Sequence, residues 1–248
     1  MEKIYLDYAS TTPVNPEVEA AMRPYFSLVF GNPGSLHSFG QEAIAAIDHG
    51  RETVAAALGA DFREIIFTGS ATEANNLALR GVIKGFRLKV LGFRPKIIVS
   101  TIEHESILET AEDLKEEGAE VVYLPVKEEG LVDLKKLKSL LDERTVLVSI
   151  MYANNEIGTV EPIAEIGNLI RVFKREKAVS STRFARSSGE LTLSSPLGRR
   201  LLAKARKKTA DQAQAAAGVS ETAFSRFYPL FHTDASQALQ FLDCNVEK

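Results

Sequence analysis

The stretch "KIIVSTIEHES", residues 96–106, indicates the fold class of this chain. Its first part, Lys96–Ser100, is dominated by β-branched apolar residues, which is typical of a strand covered on both faces in a mostly parallel sheet. A helical pattern follows at once, in which Leu108, Ala111 and Leu114 share one face. The stretch therefore predicts one strand–helix unit of an α/β fold.

The rest of the chain repeats this alternation of strand and helix. Asp133 suits an N-cap before a second helical stripe, and Pro162 suits the first position of a third. The helix-face residues are Leu134, Leu137, Leu140 and Leu141, then Ile163, Ile166 and Ile170, and Gly118 lies where the first helix would end. The other predicted strands are Ile4–Tyr8, Glu64–Thr68, Glu120–Val126, Thr145–Met151 and Pro229–Thr233. We therefore predict an α/β fold, with a mostly parallel sheet, helices on both faces and right-handed crossovers.

Composition places the chain among ordinary globular proteins and excludes several classes of site. Hydrophobic residues make up 45% of its 248 residues and charged residues 25%. No apolar run is long enough to span a membrane, and the first residues carry no signal-peptide core, so we expect a cytoplasmic protein. Cys244 is the single cysteine, which excludes internal disulfides and multi-cysteine metal cages within this chain. Four histidines show no metal-ligand spacing, so we predict no metal site.

One basic segment differs from the rest of the sequence. Residues 174–226 carry 12 Lys or Arg against 4 Asp or Glu, whereas the whole chain has a net charge of −3. The segment separates a predicted helix from the strand expected soon after it, and residues 197–217 are compatible with a basic helix. It is either a solvated surface excursion or a docking arm for an acidic protein or RNA. We favour the excursion and expect no nucleic-acid partner, because no base-reading motif accompanies the charge.

Small, polar or ring-bearing residues follow four of the predicted strands. Ligands in open α/β sheets bind outside the carboxyl ends of the strands, so these four loops define a candidate site. The loops are "GSATEANN" at 69–76, "TIEHES" at 101–106, "YANNEIG" at 152–158 and "DASQ" at 234–237. The first suits a phosphate at a helix start, and His104 in the second suits stacking on a flat ring. The amides of the third suit a ring hydroxyl or a substrate carboxylate, and Asp234 suits a protonated ring nitrogen.

Each loop also has a purely structural interpretation. Ser70 and Glu73 fit a capping box, and His104 fits a helix cap. Asn154 and Asn155 fit a turn, and Asp234 fits an N-cap. Together, however, a phosphate cradle, a stacking ring, an amide and a carboxylate describe a site for pyridoxal 5′-phosphate.

Several motifs in this order resemble the cysteine desulfurase family, class V of the fold-type I aminotransferases. They are "YLDYASTTPVNPEV", "FGNPGSLHSFG", "IIFTGSATEANNLAL", "EHESIL", "VSIMYANNEIGTVEPI" and "HTDASQ". The resemblance assigns residues 1–173 and 229–248 to the cofactor-binding large domain and leaves residues 174–228 as an insertion. It implies that the family's C-terminal small domain is absent from this sequence.

The resemblance also implies a role for each candidate residue. Ala71 and Thr72 would hold the phosphate of pyridoxal 5′-phosphate, and His104 would stack on its ring. Asp234 would pair with the ring nitrogen, and Asn155 and Gln237 would contact the ring hydroxyl. Such enzymes convert L-cysteine to L-alanine and pass the sulfur as a persulfide to an iron–sulfur scaffold or another acceptor protein. They are usually homodimers, a state that the missing part of the family's sequence puts in question here.

The catalytic groups of the family have no counterpart within these residues. The Schiff-base lysine belongs to a Ser-x-His-Lys motif beyond the position of Lys248, as does the persulfide-forming cysteine, and we interpret Cys244 as structural. We therefore expect the chain as given to be inactive or nearly so. Two alternatives remain: a non-catalytic relative that acts as a binding scaffold, and another class V enzyme such as a selenocysteine lyase or an aminotransferase.

Overall fold

The computed structural model describes residues 3–8, 10–89, 94–187 and 230–234. The chain comprises two compact units. The first unit consists of Met1–Ala74, Ala153–Thr159 and Ala235–Lys248, and the second consists of Asn75–Tyr152 and Val160–Asp234.

The second unit is built on a four-stranded parallel sheet. Its strands are β1 (Lys96–Ser100), β2 (Glu120–Leu124), β3 (Thr145–Ser149) and β4 (Leu230–His232), in the spatial order β2-β1-β3-β4. The register pairs Ile97 with Val121 and with Leu147, and Ser149 with His232. Its helices are α3 (Ala71–Lys89, from Asn75 onward), α4 (Glu105–Glu116), α5 (Leu134–Leu140) and α6 (Ile163–Ser187). The predicted α/β fold with a parallel sheet is confirmed.

Helices cover both faces of this sheet, because consecutive side chains of a strand point to opposite faces. On one face Ile97 and Val99 pack in a cluster with Leu79 and Ile83 of α3 and with side chains of α4. On the other face Ile98 and Val148 pack with Leu137 of α5 and with Ile166 and Ile170 of α6. All residues of β1 and β3 are buried, which explains why their sequences are nearly continuous apolar runs.

Local signals in the sequence set the helix ends as predicted. The Asp133 side chain accepts hydrogen bonds from the backbone N–H groups of Lys135 and Lys136 at the start of α5. Gly118, with φ of 96°, follows the end of α4. Pro162, predicted as the first residue of the third helix, lies one residue before α6. Its carbonyl accepts the first helical hydrogen bond, from the Ile166 N–H at 3.0 Å. These ends depend on hydrogen bonds within a few residues, so the sequence alone was sufficient to place them.

Two predicted strands of the first unit are not formed. Residues 4–8 make no sheet pairing, and Ile4 and Leu6 are 80% and 88% exposed. Glu64, the first residue of the strand predicted as Glu64–Thr68, is the last residue of a 3-10 helix (Phe62–Glu64) that Asp61 caps. The residues after it are extended but pair with no strand in the described part of the chain. A strand requires a partner strand as well as β-propensity, and the described part of this unit supplies none for either segment.

The remaining strands are shorter than predicted at their ends. Beyond β2, Val126 forms an isolated antiparallel bridge with Val132 in place of a parallel pair. Beyond β3, Ile150 and Met151 are buried but lie outside the ladder. The predicted strand Pro229–Thr233 is observed as Leu230–His232.

The helix α6 continues past residue 174, where the predicted basic insertion begins, and ends at Ser187. The first part of the basic segment is therefore helical. The basic helix predicted at 197–217 lies outside the described residues. Among the helices that the structure describes, none combines the length and the apolarity needed to cross a bilayer.

The first unit contains α1 (Pro16–Met22), α2 (Ser38–Leu58), two short 3-10 helices (Arg23–Phe26 and Phe62–Glu64) and the first turn of α3. Asn15 caps α1, His37 caps α2, and Gly59, with φ of 64°, ends α2. The guanidinium of Arg51 lies 5.1 Å from the Phe62 ring centroid and 5.4 Å from that of Phe67. These contacts connect α2 to the segment that leads into α3.

A buried lysine at the start of β1 gives a first testable prediction. Lys96 Nζ donates to the Leu140 carbonyl at 2.6 Å and to Asp142 Oδ2 at 3.0 Å, and its side chain is only 7% exposed. Lys96→Met retains the apolar stem but leaves the Leu140 carbonyl without this donor. We expect it to lower the free energy of unfolding by about 2 kcal/mol in urea denaturation. Lys115→Met, at an exposed ion pair with Glu112, is the control and should cost less than about 1 kcal/mol. Equal losses in the two variants would contradict the prediction.

Candidate functional site

The carboxyl edge of the sheet brings two of the predicted site residues into one unit. The segments that follow β1, β3 and β4 begin at the same edge, because these strands are parallel neighbours. The backbone N–H of Ile150 donates to the His232 carbonyl at 3.0 Å, and that of Tyr152 donates to the Asp234 carbonyl at 2.9 Å. The backbone of Asp234 is thereby fixed beside the end of β3, one strand away from the loop that carries His104.

The Asp234 carboxylate is half-buried and accepts a hydrogen bond from another element. Asn75 of α3 donates from Nδ2 to Asp234 Oδ2 at 2.9 Å. The same nitrogen donates to Ser106 Oγ of α4 at 3.0 Å. The alternative interpretation of Asp234 as an N-cap concerns residues 235 onward, which lie outside the described residues.

His104 is the N-cap of α4, as its structural interpretation predicted. Its Nδ1 accepts from the backbone N–H of Ser106 at 3.1 Å and lies 2.9 Å from Ser106 Oγ. Because Nδ1 is an acceptor, the proton of the neutral ring is on Nε2. The cap thus fixes the tautomer and the position of an exposed ring, so capping and stacking on a flat ligand are compatible functions.

Glu103, beside His104, is a buried carboxyl group that joins two strand ends. Its Oε1 accepts from Ser100 Oγ at 2.7 Å and from the Met151 backbone N–H at 2.6 Å. Its Oε2 is buried and has no hydrogen-bond partner within the described ranges. Burial raises the pKa of Glu103 to about 7, although the two hydrogen bonds lower it. The charges of Asp234 and Glu161 raise it further.

His232 lies on β4 next to this carboxyl edge. Its Nδ1 is 2.8 Å from Ser149 Oγ on β3. Burial lowers the pKa of His232, although the charge of Asp234 opposes the change. His232 is therefore neutral at pH 7, and it adds no positive charge beside the Asp234 carboxylate.

Ala71 and Thr72 are the first two residues of α3 and belong to the first unit, where both are exposed. Ser70 Oγ accepts from the Glu73 backbone N–H at 3.1 Å, which is one half of the predicted capping box. The other half differs, since Glu73 Oε2 accepts from the N–H of Gly69 at 2.7 Å. The helix start is thus stabilised by a cap, and Ala71 and Thr72 remain at its N-terminal surface.

Asn155 lies in a turn of the first unit and is exposed. Its neighbour Asn154 makes the turn: Asn154 Oδ1 accepts from the N–H groups of Glu156 and Ile157 at 2.8 and 2.9 Å. Gly158 closes the turn with φ of 74° and donates to the Asn154 carbonyl. The turn interpretation is therefore correct for Asn154, and the side chain of Asn155 projects from the turn that Asn154 makes.

Gln237 and Cys244 lie outside the described residues. Sequence reasoning missed two hydrogen-bond partners of the predicted residues, Asn75 and Ser106, and the buried Glu103 carboxyl group beside His104. Asn75 lies in the "GSATEANN" motif, and Glu103 and Ser106 lie in the "TIEHES" motif. Two spacings could have indicated Asn75 and Ser106. Asn75 lies one helical turn after Thr72, and Ser106 lies two residues after His104.

A family model described as "Aminotransferase class-V" matches residues 4–188. The chain belongs to the class-V aminotransferase family. The enzymes of this family depend on pyridoxal phosphate. The match extends past residue 174, the predicted start of the insertion, and ends close to the end of α6.

Curated and solved relatives of this class-V chain bear the names expected from its motifs. "Cysteine desulfurase IscS" of Rickettsia massiliae (strain Mtu5) is 47% identical over 169 residues, which are 68% of this chain and 40% of the relative. A solved "NIFS-LIKE PROTEIN" is 39% identical with a TM-score of 0.65, over 68% of this chain and 45% of that one. "SspA in complex with cysteine" is 40% identical with a TM-score of 0.63, over 68% of this chain and 48% of that one. The resemblance to cysteine desulfurases is confirmed, and the chain spans about two fifths of the length of the curated relative.

Proposed function

We propose that this chain forms the pyridoxal-phosphate-binding part of a cysteine desulfurase. The observation that carries the proposal is the Asp234 carboxylate, which Asn75 holds at the carboxyl end of β4 and which a hydrogen-bond network joins to His104. A half-buried carboxylate at this edge is suited to a cationic partner, and a protonated ring nitrogen is such a partner. The family relationship supports the same assignment.

The residues present fit this cofactor in their chemistry. Asp234 supplies the carboxylate, and His104 presents an exposed ring whose Nδ1 is already bonded, so a ligand can cover its face without breaking the cap. Ala71 and Thr72 at the start of α3 supply small residues and a helix N-terminus, which suit a phosphate. We propose that Asn155 and Gln237 contact the ring hydroxyl.

The cofactor, when bound, supplies an electron sink for chemistry at the substrate's amino-bearing carbon. The contribution of this chain is electrostatic and geometric. Asp234 would hold a proton on the ring nitrogen, because a fixed negative charge favours the cationic ring. His104 would cover one face of the ring and exclude water from it.

We propose L-cysteine as the substrate and an iron–sulfur scaffold or another sulfur-acceptor protein as the partner. The relatives named IscS and the SspA structure that holds cysteine support these assignments. Selenocysteine lyase activity, aminotransferase activity and a non-catalytic scaffold function are the competing functions. A scaffold would bind its partner without the cofactor, so a measurement of cofactor binding separates it from the enzymes.

The test of the proposal uses pyridoxine 5′-phosphate, which carries an alcohol in place of the reactive aldehyde. It cannot form adducts with surface lysines and requires no covalent anchor. We expect calorimetric titration of the chain to show binding, and Asp234→Asn to weaken it by about tenfold or more, since a charge-assisted hydrogen bond is lost. Asn at this position retains the size of Asp and can still accept from Asn75.

Asp113→Asn, at an exposed ion pair with Arg80 on the surface of α4, is the matched control and should bind as the parent chain does. If the parent chain does not bind the analogue, or if Asp234→Asn binds it equally well, the proposal is wrong.

A further inference from the structure

The side-chain amide of Asn75 donates both of its hydrogens, one to each of two acceptors on other elements. Its Nδ2 is 2.9 Å from Asp234 Oδ2 and 3.0 Å from Ser106 Oγ. A carboxamide nitrogen has two hydrogens, so both bonds form at the same time. The opposite orientation of the amide would place its oxygen against a carboxylate oxygen. The charge of Asp234 therefore determines which way the amide faces.

Burial makes this arrangement rigid. Asn75 is 5% exposed and Ser106 is 7% exposed, so a rotation that broke either bond would leave a buried donor without a partner. Asn75 also stands on a helix that the core holds in place, because Leu79, one turn further along α3, is completely buried. Asp234 follows a strand of three residues, and it receives this donor from a firmly packed helix.

The network continues from Ser106 to His104. Since the Ser106 hydroxyl accepts from Asn75, its own hydrogen points to His104 Nδ1, 2.9 Å away. Asp234 and His104, which are 130 positions apart in the sequence, are thus connected through two buried side chains. Each bond of the network has a defined direction, from the amide to the hydroxyl and from the hydroxyl to the ring.

We propose that Asn75 is a positioning residue, which holds the Asp234 carboxylate in the orientation that pairs with the cofactor's ring nitrogen and, through Ser106, holds the His104 ring beside it. This inference rests on the proposed function, since it is there that Asp234 acquires its role. Asn75 acts through Asp234 and His104 and has no part in the reaction itself.

The experiment compares two ligands, pyridoxine 5′-phosphate and its analogue in which a carbon replaces the ring nitrogen. The parent chain is expected to prefer the nitrogen-containing ligand, because only that ligand can pair with Asp234. Asn75→Leu, which is close to Asn in size and lacks the donors, is expected to weaken binding of this ligand by about tenfold. Its affinity for the carbon analogue should fall much less, because that ligand does not pair with Asp234 and is affected only through His104. A merely structural role would weaken the binding of both ligands equally.

Asn75→Ala provides the same comparison if the leucine variant fails to fold, since Ala favours the helix and adds no volume. Lys84→Ala, on the exposed side of α3, is the control for effects on the helix. If the parent chain prefers the nitrogen-containing ligand and both Asn75 variants retain that preference, the positioning role of Asn75 is refuted and the proposed function still stands. If the parent chain binds neither ligand, or binds both equally, the proposed function itself fails.

Discussion

Glu103→Gln is expected to gain stability relative to the parent chain as the pH rises from 5 to 8. The buried Glu103 carboxyl has a pKa of about 7, against 4.5 for an exposed glutamate. Between these values the folded chain keeps the proton and the unfolded chain releases it. The stability that Glu103 contributes is therefore complete below pH 4.5 and is lost as the pH rises through 7.

The size of this loss follows from the raised pKa. A difference of this magnitude corresponds to about 3 kcal/mol in the free energy of unfolding. Glutamine has the shape of the protonated acid and does not titrate, and its oxygen can accept from Ser100 and Met151 in the same way. The difference in stability between variant and parent should thus change by about 3 kcal/mol in favour of the variant.

The comparison must be made between variant and parent, because a second buried group titrates in the same range. The lowered pKa of His232 means that stability from this group is lost as the pH falls, opposite to the effect of Glu103. Asp234 and Glu161 also face Glu103, and their charges are present in both proteins. The measurement is urea denaturation at pH 5 and pH 8. Glu109→Gln, exposed on α4, is the control for the loss of a carboxylate from the surface. If the difference in stability between Glu103→Gln and the parent chain is the same at pH 5 and pH 8, the prediction is refuted.

Gly40→Ala and Gly50→Ala, two substitutions within α2, are expected to change stability in opposite directions. A Cβ at Gly40 would lie 2.2 Å from the Ser35 carbonyl oxygen and 2.8 Å from that of Asn32. Both atoms belong to the backbone of the preceding "GNPGSLH" loop, so the clash can be relieved only by a shift of the backbone. We expect a loss of about 3 kcal/mol in the free energy of unfolding.

Gly50 is the matched control on the same helix, since a Cβ there would meet nothing within 4 Å. Alanine favours helix over glycine, so Gly50→Ala should gain about 1 kcal/mol. The chain contains no tryptophan, so the loss of helix is followed by circular dichroism during urea denaturation. If both substitutions change the free energy of unfolding in the same direction, the close approach of the loop to Gly40 does not limit the stability of α2.

Much of the fold could be predicted because its signals are local. The cap at Asp133, the helix end at Gly118 and the β-branched run of β1 depend on residues that are close in sequence, and each was predicted correctly. The strands predicted at 4–8 and 64–68 were wrong for the opposite reason. Their residues have high β-propensity, but a strand forms only where another strand supplies the ladder.

The candidate site was predictable to a similar degree. The rule that ligands bind at the carboxyl ends of parallel strands was sufficient to select His104 and Asp234. The groups around them were missed, because Asn75 reaches Asp234 across 159 positions and the neighbouring Glu103 reaches Met151 across 48. No pattern within a motif specifies such a pair, since it depends on how α3 and the strand ends pack.

By itself, the sequence determined the alternation of strands and helices in the second unit and the helix caps, because these depend on propensities and hydrogen bonds between near neighbours. Only the tertiary structure decided that burial raises the pKa of Glu103 to about 7 and that the Asp234 carboxylate is bonded to Asn75. Desolvation and pairing arise from groups that distant segments bring together, and packing alone determines their distances.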